Sequence, residues 1–273
     1  MSDIKSMGLY RNVERIMADL RASGFDGTSP LTVDDLTPYD QYHYEGTDAV
    51  DDAIAFLGAN PAAHILDVGS GLGGPARYIA DRSGAAVTGL ELQPDLNETA
   101  AALTVRAGLS ALVTHVNGDV LAGDAGTDQF TGLVSMLCFL HIPDRASLFA
   151  NCANALQSGS RIFIDDYYER GELTTTEWEH LANTVYCTYL PDQATYVKQM
   201  EAAGLVDVQV TDKTNDWADF VGDRLGRFRE ARPELIARYD EATVESLDHF
   251  YATVVDLFGG GNLGGLRVTA RRP

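Results

Sequence analysis

Short apolar runs and longer stretches of helical spacing alternate along most of this chain. Ile65, Leu66 and Val68 make the first run, Val87 to Leu90 the second, and residues 111–116 the third. Phe130–Cys138 and Arg161–Tyr168 make the fourth and fifth. Runs of this length, bounded by turn residues, predict strands buried on both faces. The helical spacing near 74–83, 95–107 and 143–156 predicts the crossovers between them. This alternation is that of a parallel, doubly wound α/β sheet. Two later runs, Val206–Thr211 and Leu263–Ala270, predict final strands and an antiparallel edge, which a mixed sheet permits.

The remainder reads as amphipathic helix or loop. Leu9, Val13, Ile16, Met17 and Leu20 repeat at helical spacing over residues 8–24, with Gly24 as a stop. Residues 47–58, 193–203 and most of 216–258 carry similar faces. Thr28-Ser29-Pro30 and Thr37-Pro38 mark a loop that leads into Tyr39-Asp40-Gln41-Tyr42-His43-Tyr44-Glu45-Gly46. That cluster has no clean period. Packing on the sheet edge and pocket lining both remain open for it, because tyrosine and histidine tips seek partners when buried. The expected organisation is one domain over residues 1–273. It comprises an N-terminal cap segment (1–58), a core (59–168), helical cap insertions (169–203 and 214–258) and final strands within 204–213 and 263–273.

Charge and cysteine usage narrow the function classes. Forty acids against twenty bases give a net charge of −20, which repels nucleic acid and anionic membranes. The acids are dispersed, as in Asp34-Asp35 and Asp51-Asp52, so each reads as part of a solvated face. No apolar stretch has the length of a membrane span, and Met1-Ser2-Asp3-Ile4-Lys5 lacks an apolar signal core, so a cytoplasmic protein is expected. Cys138, Cys152 and Cys187 have no metal-type spacing and read as reduced thiols, with no metal site expected.

The candidate chemistry lies where the strands end. The first run closes on Asp67-Val68-Gly69-Ser70-Gly71-Leu72-Gly73-Gly74, and the second on Glu91. Glycines let the backbone turn sharply and approach a ligand. Open α/β sheets bind nucleotide-like ligands at this edge. Gly69, Gly71 and Gly74 also satisfy the dinucleotide spacing, so a nicotinamide-dependent (NAD) oxidoreductase is an alternative. Asp67 stands against it, since a carboxylate beside the first glycine repels a pyrophosphate and attracts a cationic ligand. The chain also lacks a Tyr-x-x-x-Lys pair. Glu91 is placed to accept hydrogen bonds from two ribose hydroxyls. Asn117-Gly118-Asp119-Val120 is a third acidic stop, suited to receive an adenine amino group and pack its ring.

Taken as an ordered set, the 67–74 loop, Glu91, Gly118-Asp119-Val120 and the loop before His141 resemble the class I S-adenosylmethionine-dependent methyltransferases. The resemblance implies a Rossmann-like seven-stranded mixed sheet, last strand antiparallel, with helical cap insertions. It also implies S-adenosylmethionine as cofactor. Glu91 then binds the ribose, Asp119 and Val120 the adenine, and the 67–73 loop (Asp67, Gly69, Ser70, Gly71, Gly73) the methionine part. Leu92, Gln93 and Leu137 are assigned to that wall as well, and His43 with Tyr42 and Tyr44 is expected to close over the cofactor's carboxylate from the N-terminal side. More narrowly, Tyr39–Gly46, Phe139-Leu140-His141, Asp165-Asp166 and the insertion before a Gly-rich last strand resemble the glycine/sarcosine/dimethylglycine N-methyltransferases that build glycine betaine. Phosphoethanolamine methyltransferases share much of that pattern. Ser135-Met136-Leu137-Cys138 carries no acid where the sarcosine/dimethylglycine pattern has one. That leaves methylation at sulfur or oxygen as an alternative.

Methyl transfer from a sulfonium is an in-line displacement, so the protein must chiefly align the nucleophile. His141 is the candidate to take a proton from an incoming ammonium, given an ordinary pKa of about 6.5, with a structural bond to a backbone carbonyl as the other reading. Asp165 and Asp166 alternate sides, so one of them points to the pocket and orients the ammonium. Tyr167, Tyr168, Tyr186 and Tyr189 are candidates for a cation-attracting cage, with Tyr186 assigned to the site. A substrate carboxylate needs a cation, for which Arg11, Arg15, Arg77, Arg170 and Lys198 are candidates by position. The expected partner is a small-molecule methyl acceptor, with no nucleic acid or membrane, and the chain is expected to be a monomer or homodimer.

Overall fold

The computed structural model describes residues 13–273. Leu9 and the head of the first predicted helix, like Arg11, lie outside the described residues. In chain order come α1 (Arg15–Ala22), α2 (Val33–Asp40), α3 (Gly46–Leu57), β1 (His64–Val68), α4 (Gly74–Ser83), β2 (Ala86–Glu91), α5 (Pro94–Arg106) and β3 (Val113–Asn117). Then follow β4 (Phe130–Met136), α6 (Arg145–Ala155), β5 (Leu156–Glu169), α7 (Thr175–His180), α8 (Gln193–Ala202), β6 (Val206–Asp212), α9 (Thr214–Glu230), α10 (Arg232–Arg238), α11 (Glu241–Gly260) and β7 (Leu263–Arg271).

The strands form one seven-stranded sheet in the order β3-β2-β1-β4-β5-β7-β6. β7 runs antiparallel to both neighbours, as expected of the last strand, and is seated between β5 and β6. β1, β2, β3 and β4 run parallel, so their carboxyl ends share one edge, and the strand order switches sides between β1 and β4. Alternation along β5 sorts its side chains to the two faces. Ile162 and Ile164 join α6 and α8 residues such as Phe149, Tyr196 and Met200, while Phe163 joins Val50 and Ala53 of α3 and Ile79 of α4. A third apolar cluster, including Leu181, Trp217, Val221, Phe250 and Val254, packs over Tyr44 and Tyr167.

Two local departures have physical causes. The stretch read as a loop before Tyr39 contains α2. Thr32 and Asp35 cap it reciprocally, with Thr32 Oγ1 accepting from Asp35 N at 3.2 Å and Asp35 Oδ2 accepting from Thr32 N at 2.8 Å. Pro38 withholds the N–H that Asp34 O would accept, and the Thr37 hydroxyl donates there instead at 3.2 Å. Ser158-Gly159, expected as a turn, lies inside β5, where the Gly159 N–H reaches Arg272 O at 2.9 Å.

Candidate active site

β1, buried on both faces, ends beside β2 with Asp67 opposite Gly89 and Val68 opposite Leu90. The chain then turns through Gly69 (φ 75°), Gly71 (φ 53°) and Gly73 (φ 73°), all in the left-handed region. A Cβ on Gly69 would stand 2.2 Å from Cys138 Sγ, so the loop can lie this close to the end of β4 only as glycine. Gly69 and Ser70 donate to Leu90 O at 2.8 and 3.2 Å, and Gly71 N donates to Glu91 Oε2 at 2.9 Å. The other carboxylate oxygen of Glu91 accepts from Gln93 N at 2.9 Å. Each oxygen retains a lone pair for a ligand hydroxyl.

These strand ends surround a cavity of about 560 Å³. Of the expected cofactor wall, Asp67, Gly69, Ser70, Gly71, Glu91, Leu92, Gln93, Asp119, Val120, Leu137, Tyr42 and His43 all line it. Gly73 is buried just behind, capping α4. Three buried polar atoms in this wall, Asp67 Oδ2, Ser70 Oγ and Gln93 Oε1, have no hydrogen-bond partner. A buried carboxylate oxygen left without a donor is costly, so this wall is incomplete without a polar, donor-bearing ligand. Burial, followed by repulsion from Glu91, raises the Asp67 carboxyl to about 7. Burial likewise raises Glu91, against the pull of its backbone donors. Asp119 accepts from Leu121 N at 2.8 Å through Oδ1. Leu137 holds φ 55°, which is strained for a side chain with a Cβ, and its N–H donates to Asp165 O at 2.8 Å.

The segment from Asp40 to Gly46 crosses this cavity as a strap fastened at both ends. Asp40 is buried against Arg77 at 2.8 Å, and Arg77 also donates to Leu72 O at 2.6 Å and Ala100 O at 3.1 Å. At the other end Glu45, itself at φ 60°, meets Lys213 at 2.7 Å and Arg267 at 3.2 Å. Between them, the Tyr44 and Tyr167 hydroxyls hydrogen-bond to each other. His43 spends Nε2 on Gly46 O at 2.9 Å, and burial lowers its pKa to about 4.

The expected catalytic residues divide. His141 lines the cavity, with Nδ1 donating to Tyr186 O at 3.3 Å, a geometry that fixes the proton on Nδ1. Burial depresses its pKa to about 4, below the ordinary value assumed from sequence, so it is neutral at pH 7. Asp165 and Asp166 do not line the cavity. Asp165 is bidentate to Arg267 at 2.8 Å, and Asp166 accepts from Arg145 at 2.9 Å and Tyr196 at 3.0 Å. Their alternation places one on each face of β5, as expected. There each meets an arginine whose place in the sequence gave no sign of it. Tyr186 stands behind the wall in the cap cluster and reaches the site through its carbonyl.

The cation candidates also resolve. Arg77 is committed to Asp40, and Arg15 donates to Tyr42 OH at 3.2 Å. Arg170 and Lys198 do not line the cavity. Sequence reasoning missed Cys138 and Asp144, both in the lining, which only the approach of β4 to the glycine loop brings there. Among the described residues no helix is long and apolar enough to cross a membrane.

Residues 66–164 match the family model of a methyltransferase domain. The chain is 31% identical over 186 residues to the probable tocopherol O-methyltransferase, chloroplastic, of Oryza sativa subsp. japonica, covering 63% of this chain and 50% of that protein. It is 26% identical over 212 residues to the sarcosine/dimethylglycine N-methyltransferase of Halorhodospira halochloris, covering 75% and 72%. This chain thus spans half the length of the rice relative. Among solved structures, phosphoethanolamine N-methyltransferase 2 of Haemonchus contortus, in complex with phosphomonomethylethanolamine and S-adenosylhomocysteine, superposes with a TM-score of 0.79. That match is at 21% identity and covers 86% of this chain and 55% of that one, so the likeness is one of fold. Over residues 66–164 this chain is therefore similar to a methyltransferase domain, in line with the sequence resemblance.

Proposed function

We propose that this chain is an S-adenosylmethionine-dependent N-methyltransferase of a small amine, and that the amine is an amino acid of the sarcosine or dimethylglycine kind. The observation that carries the reading is the carboxylate of Asp67, buried at the cavity wall with Oδ2 lacking a donor. A cationic ligand end satisfies it, whereas a dinucleotide pyrophosphate is repelled. Ser70 Oγ and Gln93 Oε1 offer further unfilled acceptors beside it, and Glu91 and Asp119 offer acceptors at the next two strand ends. Val120, Leu92 and Leu137 supply apolar surface for a flat ring.

When bound, S-adenosylmethionine supplies an activated methyl group on a sulfonium. The chain's own residues then have three tasks. Asp67, Glu91 and Asp119 hold the donor by its polar ends. The strap and cap exclude water and fix the acceptor's line of approach, which is the larger part of the rate. Neutral His141, its tautomer set by Tyr186 O, keeps Nε2 as a proton acceptor, and at a pKa of about 4 it is a weak one. The acceptor amine therefore loses its proton mainly to solvent before it enters.

Isothermal calorimetry with S-adenosylhomocysteine and with NAD, followed by mass spectrometry of glycine, sarcosine, dimethylglycine and phosphoethanolamine incubations, tests the reading. Binding of S-adenosylhomocysteine and a mass gain on one amine support it. Binding of NAD alone ends it.

A further inference from the structure

The glycine loop at the cavity rests on a polar side chain that lies behind it and is not part of the lining. Across the sheet, Asp67 of β1, Gly89 of β2 and His115 of β3 stand in one row, each opposite the next. Side chains in register point to the same face, so Asp67 and His115 flank a strand position that has no side chain. A glycine inside a strand weakens it and often marks a close approach by another group. Here two groups make that approach. A Cβ on Gly89 would stand 2.7 Å from Ser70 Oγ and 3.2 Å from His115 Nδ1, so both polar atoms converge over the Gly89 backbone. Both atoms are buried, although the His115 side chain as a whole is only half-buried, and among the described residues neither has a hydrogen-bond partner.

The rest of the imidazole is committed. Its Nε2 lies 2.8 Å from Thr104 Oγ1 on α5, and Thr104 also accepts from Arg77 at 3.3 Å. A Cβ on Gly73 would meet His115 Cε1 at 2.5 Å, so the ring also packs directly against the turn of the loop. Burial and then the Arg77 charge lower its pKa to about 4, which leaves the ring neutral at pH 7. A neutral imidazole has one N–H and one lone pair. With the proton on Nε2 and donated to Thr104, Nδ1 keeps the lone pair on the side of Ser70. A serine hydroxyl has one proton to give and two lone pairs. Where that proton goes decides what Ser70 shows to the cavity, which it lines together with Asp67.

Resting on the reading that this cavity holds S-adenosylmethionine, we infer that His115 is a positioning residue for the methyl donor. A turn of the Ser70 side chain places its O–H on His115 Nδ1 and leaves the Ser70 oxygen as a pure acceptor toward the cavity. Asp67 Oδ2 and Ser70 Oγ then make a corner of acceptors alone. That corner suits an α-ammonium, with its three N–H groups, and repels a carboxylate. It therefore sets which way round the amino-acid end of the methyl donor lies. His115 touches no ligand and acts through Ser70.

The experiment measures, by calorimetry, binding of S-adenosylhomocysteine and of 5′-methylthioadenosine, which keeps the nucleoside and sulfur but has no amino-acid end. The proteins are the wild type, Ser70→Ala, His115→Gln, His115→Asn and the double variant Ser70→Ala with His115→Gln. Glutamine sets its amide where Nε2 stood and keeps the Thr104 contact, whereas asparagine sets an amide oxygen where Nδ1 stood. Ser70→Ala should weaken S-adenosylhomocysteine about 10-fold, the order of one hydrogen bond to a charged group, and His115→Gln about 5-fold. His115→Asn should recover most of that loss. The double variant should be within about 2-fold of Ser70→Ala alone, because the histidine acts only through the serine. 5′-Methylthioadenosine should bind all five proteins within about 2-fold, which also shows that each is folded. An equal loss on both ligands in His115→Gln, losses that multiply in the double variant, or no recovery in His115→Asn overturns the inference while leaving the methyl-donor site in place. Failure of the wild type to bind S-adenosylhomocysteine overturns both.

Discussion

The cofactor wall and the cap wall of this site place polar groups by opposite means. At the wall proposed for the cofactor Asp67, Glu91 and Asp119 sit at successive strand ends; backbone N–H groups of the adjoining loops orient Glu91 and Asp119, and Asp67 is held by burial at the end of β1. At the cap wall the polar groups come from far apart in the chain. Tyr44 meets Tyr167, Glu45 meets Arg267, and Arg224 stacks on Tyr251. The first wall is made by a motif. The second is made by tertiary packing, which places the strap between the sheet edge and α9. Acids serve opposite ends in the two: at the cofactor wall they keep open acceptor capacity, and in the cap they neutralise arginines.

The sharpest way to break this contrast is at Asp166. If it is structural, Asp166→Ala strands the Arg145 charge in the interior and lowers unfolding free energy by about 3–5 kcal/mol. Thermal denaturation should show that loss, while the folded fraction keeps its S-adenosylhomocysteine affinity. A variant that stays stable and loses turnover would make Asp166 catalytic after all.

Gly69→Ala attacks the other wall. It combines a left-handed backbone with a Cβ placed on Cys138, for a cost of about 1–3 kcal/mol concentrated on donor binding. Calorimetry should record roughly a tenfold or greater drop in S-adenosylhomocysteine affinity.

Asp67→Asn sharpens the comparison through pH. The folded carboxyl titrates at about 7, above its unfolded value, so the unfolded chain releases this proton first. Its contribution to stability is therefore full below the ordinary carboxylate range and is lost as pH rises to about 7. Donor affinity runs the other way and strengthens through the same window, because the ionised form receives the cation. Asparagine should flatten both profiles and weaken S-adenosylhomocysteine about tenfold, read by titrations at pH 6 and pH 8.

The smallest effect is expected at Arg82, whose surface pair with Asp34 is largely exposed. Arg82→Ala should change stability by less than about 1 kcal/mol and leave donor binding untouched, as denaturant melts would show.

The same division explains what the sequence disclosed. Parallel strands buried on both faces appear as apolar runs, and a strand end with its glycine turn is a local signal, so β1, β2 and the Asp67–Gly74 loop could be read directly. Helix α2 was hidden because Pro38 and the Thr37-Pro38 pair signal a loop, while Thr37 quietly supplies the missing bond. Asp165 and Asp166 read as catalytic because an acid pair at a strand end looks alike whether or not an arginine waits opposite. Arg267 lies about a hundred residues downstream, and only the insertion of β7 beside β5 brings it there.

A loop across an active site is commonly the part that breathes. Here the stretch from Asp40 to Glu45 is riveted by buried charge at both ends, and opening it exposes an unpaired aspartate or arginine to a low-dielectric interior. The opposite rim is the open one, where Leu92 is 57% exposed and Pro143 and Asp144 reach solvent, so access to the cavity does not depend on lifting the strap.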